Sequence, residues 1–168
     1  MRITRLNHAV LYVRSARRIA EFYQEVMGFS IVISDPMDRF AFLRAGESEN
    51  HHDLALFSVG EQAGPPSGGR TVGLYHIAWE VPTLADLEAA ERRLAEAGAL
   101  IGASDHGVNK SLYSRDPDGN EFEVMWLVPP AEWGDEEHEA IVRPLDLDGD
   151  VRRYGPREVN WRLEVTDE

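Results

Sequence analysis

Two histidines occupy matching places in two similar stretches of the chain. The stretch LNHAVLYV at residues 6–13 is echoed by LYHIAWEV at residues 74–81, which gives His8 and His76 the same position in each copy. A polar ring among apolar neighbours is either bonded to backbone groups in the core or is a ligand. The repetition favours a ligand, because two modules related by a pseudo-twofold axis would bring both rings to that axis.

A carboxylate extends this candidate set. Glu123 stands between Phe122 and Val124 in the last strand-like segment of the second copy. Two imidazoles and one carboxylate form the facial triad that suits non-haem Fe(II) and leaves positions open for a substrate and dioxygen. Mn(II) fits the same donors. The sequence therefore predicts a metal site at His8, His76 and Glu123 that binds Fe(II) or Mn(II).

His52 is the candidate proton carrier. It opens the segment predicted to be the last strand of the first copy, and an imidazole with an ordinary pKa of about 6.5 can take and return a proton near neutral pH. Strand alternation would turn His51 to the opposite face and would let only one of His52 and Asp53 point inward. The alternatives are a solvent-facing histidine pair and, for an isomerase, Asp53 as a fourth metal ligand.

The segment at residues 106–123, HGVNKSLYSRDPDGNEFE, places a tyrosine opposite Glu123. DPDGN predicts a tight turn, with Pro117 at the first corner and Gly119 at the exit, so the strand bearing Tyr113 returns antiparallel as the strand bearing Glu123. Both side chains can then meet at one site. Tyr113 is either a packing residue or, beside a metal, a hydrogen-bonding partner of a substrate oxygen.

Hydrophobic periodicity predicts the elements that position these residues. Ser15 is a plausible N-cap of a helix that stops at Gly28, and Thr83 caps a second helix that stops at Gly98. Three strand-like runs follow each helix, so both copies have the pattern βαβββ. These runs are FSIVIS, RFAFLRA and HDLALFSV in the first copy, and ALIGAS, KSLYSRD and EFEVMWLV in the second.

The predicted fold is therefore α+β, with two paired βαβββ modules and a C-terminal extension. Residues 1–127 form one domain, with module one at 4–59, a Gly/Pro-rich linker at 60–73 and module two at 74–127. Residues 128–168 form an acidic extension. Within it, VNWRLEV predicts a late edge strand and DLDGD a solvated turn.

Composition narrows the function classes. The 168 residues are 43% hydrophobic and 28% charged, which excludes a wholly disordered chain, and the net charge of −13 disfavours nucleic acid as a partner. Since there is no cysteine, any metal must bind to nitrogen and oxygen. No apolar run approaches a membrane span and the start lacks a signal-peptide core, so we expect a cytoplasmic protein without membrane contact.

The motifs around Glu123 resemble a known signature. His106, Leu112-Tyr113, the DPDG turn and Glu123 are similar in type and spacing to the signature of type I extradiol ring-cleaving dioxygenases, in the vicinal oxygen chelate (glyoxalase/bleomycin resistance) superfamily. That superfamily is built of paired βαβββ modules. The resemblance covers about residues 4–127 and corresponds to a one-domain form.

The resemblance implies a role for each candidate residue. His8, His76 and Glu123 would bind iron, His52 would act as the acid-base histidine, and Tyr113 would bind the substrate. His106 would lie near the oxygen site without binding the metal. The implied reaction is Fe(II)-dependent cleavage of a catechol-type ring with O2.

Two other functions stay open at the level of sequence. One is a metal-dependent isomerase or epimerase of the same superfamily, and the other is a metal-free protein that sequesters an aromatic small molecule. We also expect a homo-oligomer, because paired modules leave a broad sheet edge and a shallow pocket that residues beyond Val128 or a neighbouring chain could cover.

Overall fold

The computed structural model describes residues 1–68 and 71–155, and its elements follow the repeat predicted from the sequence. Each half contains a strand, a helix and three further strands. The first half comprises β1 (Ala9–Val13), α1 (Ala16–Met27), β2 (Ser30–Ser34), β3 (Phe40–Arg44) and β4 (Leu54–Ser58). The second half comprises β5 (His76–Glu80), α2 (Leu84–Glu96), β6 (Leu100–Asp105), β7 (Asn109–Arg115) and β8 (Glu121–Leu127).

The chain forms two compact units with the same sheet topology. The first unit comprises Met1–Val72 with Asp116–Asn120, and the second comprises Gly73–Arg115 with Glu121–Glu168. The first sheet has the strand order β1-β4-β3-β2 and the second the order β5-β8-β7-β6. In each, the first strand runs parallel to the last, and the other neighbours are antiparallel. The expected α+β fold with two βαβββ modules is therefore confirmed.

The helices begin where the sequence predicts; α1 ends at the predicted Gly28 cap, and α2 ends at Glu96 with Ala97 as its cap, just before the predicted Gly98. The Ser15 side chain accepts a hydrogen bond from the amide of Arg18, and Gly28 ends α1 with a left-handed φ of 75°. The Thr83 side chain caps α2 in the same way, by accepting from the amide of Asp86. Each helix buries one face against its own sheet, with Ile19 and Tyr23 from α1 and Leu87 and Leu94 from α2. These caps and apolar faces fix the helix registers.

The DPDGN turn closes the β7–β8 hairpin as predicted. Gly119 has a φ of 90°, a conformation that favours glycine, and the Asp116 carboxylate accepts hydrogen bonds from the amides of Asp118 and Asn120. The hairpin register pairs Tyr113 with Glu123. The turn therefore sets which two side chains stand opposite each other.

The extension contains a helix where the sequence analysis expected a solvated turn. Two short 3-10 helices, Pro130–Glu132 and Gly134–His138, precede α3 (Leu147–Tyr154). Asp146 of the DLDGD segment caps α3 by accepting from the amide of Gly149, and Asp150 is buried. The solvated-turn prediction was wrong, because its acidic residues serve as a helix N-cap and a buried ion-pair partner.

Two further findings concern the sequence predictions. The expected VNWRLEV strand lies outside the described residues. Within the described part of the chain, no helix combines the length and the apolar character that a membrane crossing requires.

Candidate active site

A histidine and a carboxylate meet on the second sheet. His76 Nε2 lies 3.0 Å from Glu123 Oε2, and Glu123 is only 6% exposed. The contact follows from the parallel pairing of β5 with β8, which sets His76 opposite Glu121 and Ala78 opposite Glu123. Residues two apart on a strand share a face, so the His76 and Glu123 side chains lie side by side on one face of the sheet.

This pair has the donor chemistry of a first-row metal site. An imidazole nitrogen and a carboxylate oxygen both bind Fe(II) and Mn(II). The two donor atoms lie 3.0 Å apart, so both would be available to one ion. Nε2 is the ring atom that is directed at the carboxylate, whereas His76 Nδ1 is buried and has no hydrogen-bond partner among the described residues. The two residues therefore fit as two ligands of the predicted site.

Tyr113 and His106 form a hydrogen-bonded chain next to this pair. The Tyr113 ring centroid lies 5.8 Å from that of His76, and the Tyr113 hydroxyl lies 2.8 Å from His106 Nε2. His106 Nδ1 lies 2.7 Å from the backbone oxygen of Ile141 in the extension. The structure thus brings His76, Glu123, Tyr113 and His106 together in the second unit.

The environment of Tyr113 keeps its phenol protonated. Burial, and next the negative charge of Glu123, raise the pKa of Tyr113 above its ordinary value of about 10. Its hydroxyl can therefore donate or accept a hydrogen bond at neutral pH without ionising.

The remaining candidate histidines lie in the first unit. His8 directly precedes β1, and its Nδ1 lies 2.9 Å from the Asn7 side-chain oxygen. The ring of His52 lies 4.6 Å from the ring of His8 and stacks on Phe42 at 4.9 Å with an interplanar angle of 17°. Burial, followed by the neighbouring His8 and His51, lowers the pKa of His52. His52 is thus held against an aromatic ring as a neutral base.

The expected orientation of His51 was wrong. Strand β4 begins at Leu54, so His51 and His52 lie on the preceding loop, where strand alternation does not apply. Their Nδ1 atoms are 3.0 Å apart. His51 is exposed and contacts His52 rather than facing away from it.

Asp53 serves the loop instead of projecting a free carboxylate. Its oxygens accept hydrogen bonds from the amide of Ala45, the hydroxyl of Ser48 and the side-chain amide of Asn50 at 2.7–2.9 Å. Asp53, the residue that an isomerase would use as a fourth metal ligand, is therefore engaged in hydrogen bonds within its own loop.

Within residues 1–68 and 71–155, no group of three or more His, Asp or Glu side chains is arranged to hold a metal ion. The structure pairs two of the predicted ligands, His76 and Glu123, in the second unit. The third, His8, contacts His52 in the first unit. The assignment of these three residues to one metal ion stays a prediction.

Sequence reasoning missed a polar residue beside the site and an ion pair on the other face of the same sheet. Asn109 reaches toward Glu123, with its amide nitrogen 3.5 Å from Oε1. Asp105 and Lys110 form an ion pair at the ends of the β6–β7 hairpin, and the Lys110 side chain is 1% exposed. The sequence offered one signal for this ion pair, a lysine that follows an aspartate across a short turn. Composition and periodicity could not distinguish such a buried pair from an exposed one.

Comparison with known proteins places these features in a family. Residues 5–124 match the model of the "Glyoxalase/Bleomycin resistance protein/Dioxygenase superfamily". "Biphenyl-2,3-diol 1,2-dioxygenase 3" of Rhodococcus globerulus is 38% identical over 128 residues, which are 72% of this chain and 62% of that protein. "Catechol-2,3-dioxygenase" of Bacillus subtilis (strain 168) is 35% identical over 130 residues, which are 77% of this chain and 44% of that protein. The chain thus spans less than two thirds of the length of these relatives.

Solved structures support the fold. The "glyoxylase/bleomycin resistance protein/dioxygenase domain" of Frankia sp. EAN1pec superposes with a TM-score of 0.63 at 22% identity, covering 76% of this chain and all of that one. The family match spans both βαβββ modules and most of the residues described above, from His8 to Glu123. The chain belongs to the glyoxalase/bleomycin resistance protein/dioxygenase superfamily.

Proposed function

We propose that this protein is an Fe(II)-dependent extradiol dioxygenase that opens a catechol-type ring beside its paired hydroxyls, with O2 as co-substrate. The observation that carries the proposal is the His76–Glu123 pair with Tyr113 beside it. This constellation occurs in a chain 38% identical to a protein named as a biphenyl-diol dioxygenase. The name of this relative suggests an aromatic diol as the substrate class, and the residues at the site have chemistry that fits such a substrate.

The metal would be held by His8, His76 and Glu123. When bound, Fe(II) supplies Lewis acidity that lowers the pKa of a diol's hydroxyls and the redox chemistry that dioxygen requires. Neutral imidazoles and one carboxylate leave such an ion with a net positive charge, which favours a substrate that can give up a proton.

The other site residues would handle the proton and orient the ring. His52 can accept a proton from a diol hydroxyl and return it to the product, because its pKa is lowered and the neutral form prevails. Tyr113 can hold a substrate oxygen with its hydroxyl, which fixes the ring's orientation. His106, hydrogen-bonded to that hydroxyl, restrains where it points.

The first unit offers an aromatic surface for such a substrate. Phe42 stacks on His52, and Phe40 and Phe57 lie 5.4 Å and 6.2 Å from Phe42 between ring centroids. Aromatic rings in this arrangement favour contact with another flat ring. This supports an aromatic diol rather than a small aliphatic substrate.

The decisive assay is oxygen-dependent ring opening by metal-loaded protein. Protein purified anaerobically and loaded with Fe(II) would be mixed with catechol or 2,3-dihydroxybiphenyl and O2. We expect a coloured ring-fission product, with one O2 consumed per diol and both atoms of labelled O2 in the product. Iron-loaded protein that binds these diols but consumes no O2 would contradict the proposal. Homo-oligomer formation is a separate prediction, which light scattering of the same preparation tests.

A further inference from the structure

A buried cation joins the second sheet to the extension that follows it. The Lys110 side chain is 1% exposed, and its Nζ lies 2.5 Å from Asp105 Oδ1 and 3.7 Å from Asp150 Oδ1 of α3. An ammonium group that has left water needs such charged partners to remain buried. Nearby, the ring of Tyr154 of α3 packs 5.2 Å from that of Trp126. Helix α3 is therefore held against this sheet by charge and by packing.

Arg143 fastens the segment that leads into α3. Its Nε donates to Asp105 Oδ2 at 2.7 Å, and its backbone N–H and C=O pair with the backbone of Asp105 at 3.0 Å and 2.9 Å. The Arg143 guanidinium also donates to Glu136. Several bonds to one residue fix the register of the extension at the end of β6.

That register brings the carbonyl of Ile141 to His106. A carbonyl oxygen only accepts, so the contact of 2.7 Å requires His106 Nδ1 to carry the proton. In a neutral ring Nε2 then has the lone pair, and the Tyr113 hydroxyl 2.8 Å away must donate to it. The hydrogen bonds therefore run in one direction, from Tyr113 through His106 to Ile141.

We propose that residues 141–143 are a positioning segment that fixes the direction of the Tyr113 hydroxyl proton through His106. With that proton committed to His106, the Tyr113 oxygen offers only lone pairs to a ligand. The site then selects a substrate hydroxyl that still carries its proton and can donate to Tyr113. The inference rests on the proposed function in one respect, namely that Tyr113 contacts the diol.

A merely structural role would have a different signature. An extension that only stabilises the fold would weaken diol binding, if at all, independently of Tyr113. A segment that acts through Tyr113 has no further effect once the tyrosine hydroxyl is gone. A double-mutant cycle separates the two roles.

The cycle uses iron-loaded protein and anaerobic titration with catechol. Tyr113→Phe should weaken binding by about tenfold, the upper range for one hydrogen bond, and Arg143→Ala should weaken it by about threefold. The double variant should bind no more weakly than Tyr113→Phe alone. Arg152→Ala, an exposed position on α3, is the matched control and should bind as the parent does. Losses that multiply in the double variant would overturn the proposal.

A second measurement tests the direction of the hydrogen bonds without any turnover. In protein labelled with 15N histidine and not yet loaded with iron, His106 is assigned by the signals missing from His106→Asn. The expected result is a protonated Nδ1 and an unprotonated Nε2, shifting toward a tautomer mixture in Arg143→Ala. A protonated Nε2 in the parent protein would overturn the proposal, even if Arg143→Ala fails to fold. A protein that shows the expected tautomer but opens no diol would contradict the proposed function and leave the positioning segment supported.

Discussion

The two units share one topology but differ in chemistry at matching positions. In the second unit, Ala78 on β5 faces Glu123 on β8, which in turn faces Tyr113 on β7. In the first unit, the same three places hold Val10, Ala55 and Phe42. A carboxylate and a phenol in one sheet thus correspond to a methyl group and a phenyl ring in the other.

This difference indicates that the two modules would contribute different chemical groups to the proposed site. The second unit holds the proposed carboxylate ligand and the tyrosine hydroxyl, whereas the first keeps a histidine pair, His8 and His52, against an aromatic ring. Both units have a histidine at the start of their first strand, because His76 is the first residue of β5 and His8 directly precedes β1. If the proposed ligands are correct, a repeated fold supplies equivalent histidines from both copies and the remaining groups from only one of them.

The largest expected effect comes from His52, the proposed proton carrier in the first unit. His52→Ala should lower kcat for catechol by about 10² to 10⁴, the usual contribution of a general base, and should leave iron content unchanged. Steady-state rates on iron-loaded protein, with iron measured by elemental analysis, check this. His51→Ala should cost less than about tenfold, because His51 is exposed and only contacts His52. Equal losses in the two variants would mean that the pair acts as a unit.

Two carboxylates next to hairpin turns, Asp35 between β2 and β3 and Asp105 between β6 and β7, differ in the burial of their partners. Asp105 binds the buried Lys110, whereas Asp35 binds Arg39, whose side chain is 67% exposed. Asp105→Asn should therefore lower the free energy of unfolding by about 3 kcal/mol, because it leaves the buried Lys110 ammonium with only the more distant Asp150 carboxylate, 3.7 Å away. Asp35→Asn should cost less, because its partner Arg39 is exposed to solvent. Urea unfolding at pH 7 measures the loss of stability in both variants. Equal losses would contradict the expectation that the pair with the buried lysine contributes more to stability than the pair with the exposed arginine.

Lowering the pH should remove the stabilisation that the Asp105 and Asp35 carboxylates give to the folded protein. Burial opposes ionisation of Asp105, but its hydrogen bonds to Lys110, Arg143 and Gly107 lower its pKa overall. The hydrogen bond from Arg39 lowers the pKa of Asp35 to about 2. Lowered values mean that the stabilisation is present above the unfolded pKa of about 3.9 and is lost as pH falls toward the folded pKa. Urea unfolding at a series of acidic pH values should therefore show a shallower loss of stability below about pH 4 in either Asn variant than in the parent.

The smallest effect concerns the aromatic support of His52. Phe42→Leu removes a stacking contact worth about 1 kcal/mol and should lower kcat by about threefold. Phe40→Leu is the control, since Phe40 packs on Phe42 and Phe57 without contacting His52. A loss of activity in Phe40→Leu as large as in Phe42→Leu would indicate that the whole aromatic cluster, rather than the stacked pair, sets the position of His52.

Local signals made much of the fold predictable. Ser15, Gly28 and the DPDGN turn act through backbone geometry and hydrogen bonds within a few residues, so their effects can be seen in the sequence. Periodicity predicted the strand that carries Glu123. The repeat itself predicted the matching position of His8 and His76.

Long-range polar contacts were not predictable in the same way. Asp150 looked like part of a solvated acidic turn, but it lies against Lys110, which is 40 positions away in sequence. The carbonyl of Ile141 carries no residue-type signal, because every residue has one. Such contacts depend on how the extension packs, which neither composition nor periodicity specifies.

Iron binding by protein with and without the Glu123 carboxylate tests the central claim most directly. Elemental analysis would compare the parent protein with Glu123→Ala, which gives the second unit the residue found at the matching place in the first, and with Glu121→Gln as control, since Glu121 binds the exposed Arg115. We expect about one iron per chain in the parent and in Glu121→Gln, and a much lower iron content in Glu123→Ala, because the loss of a ligand weakens metal binding. Equal iron content in all three proteins would contradict the assignment of Glu123 as a metal ligand.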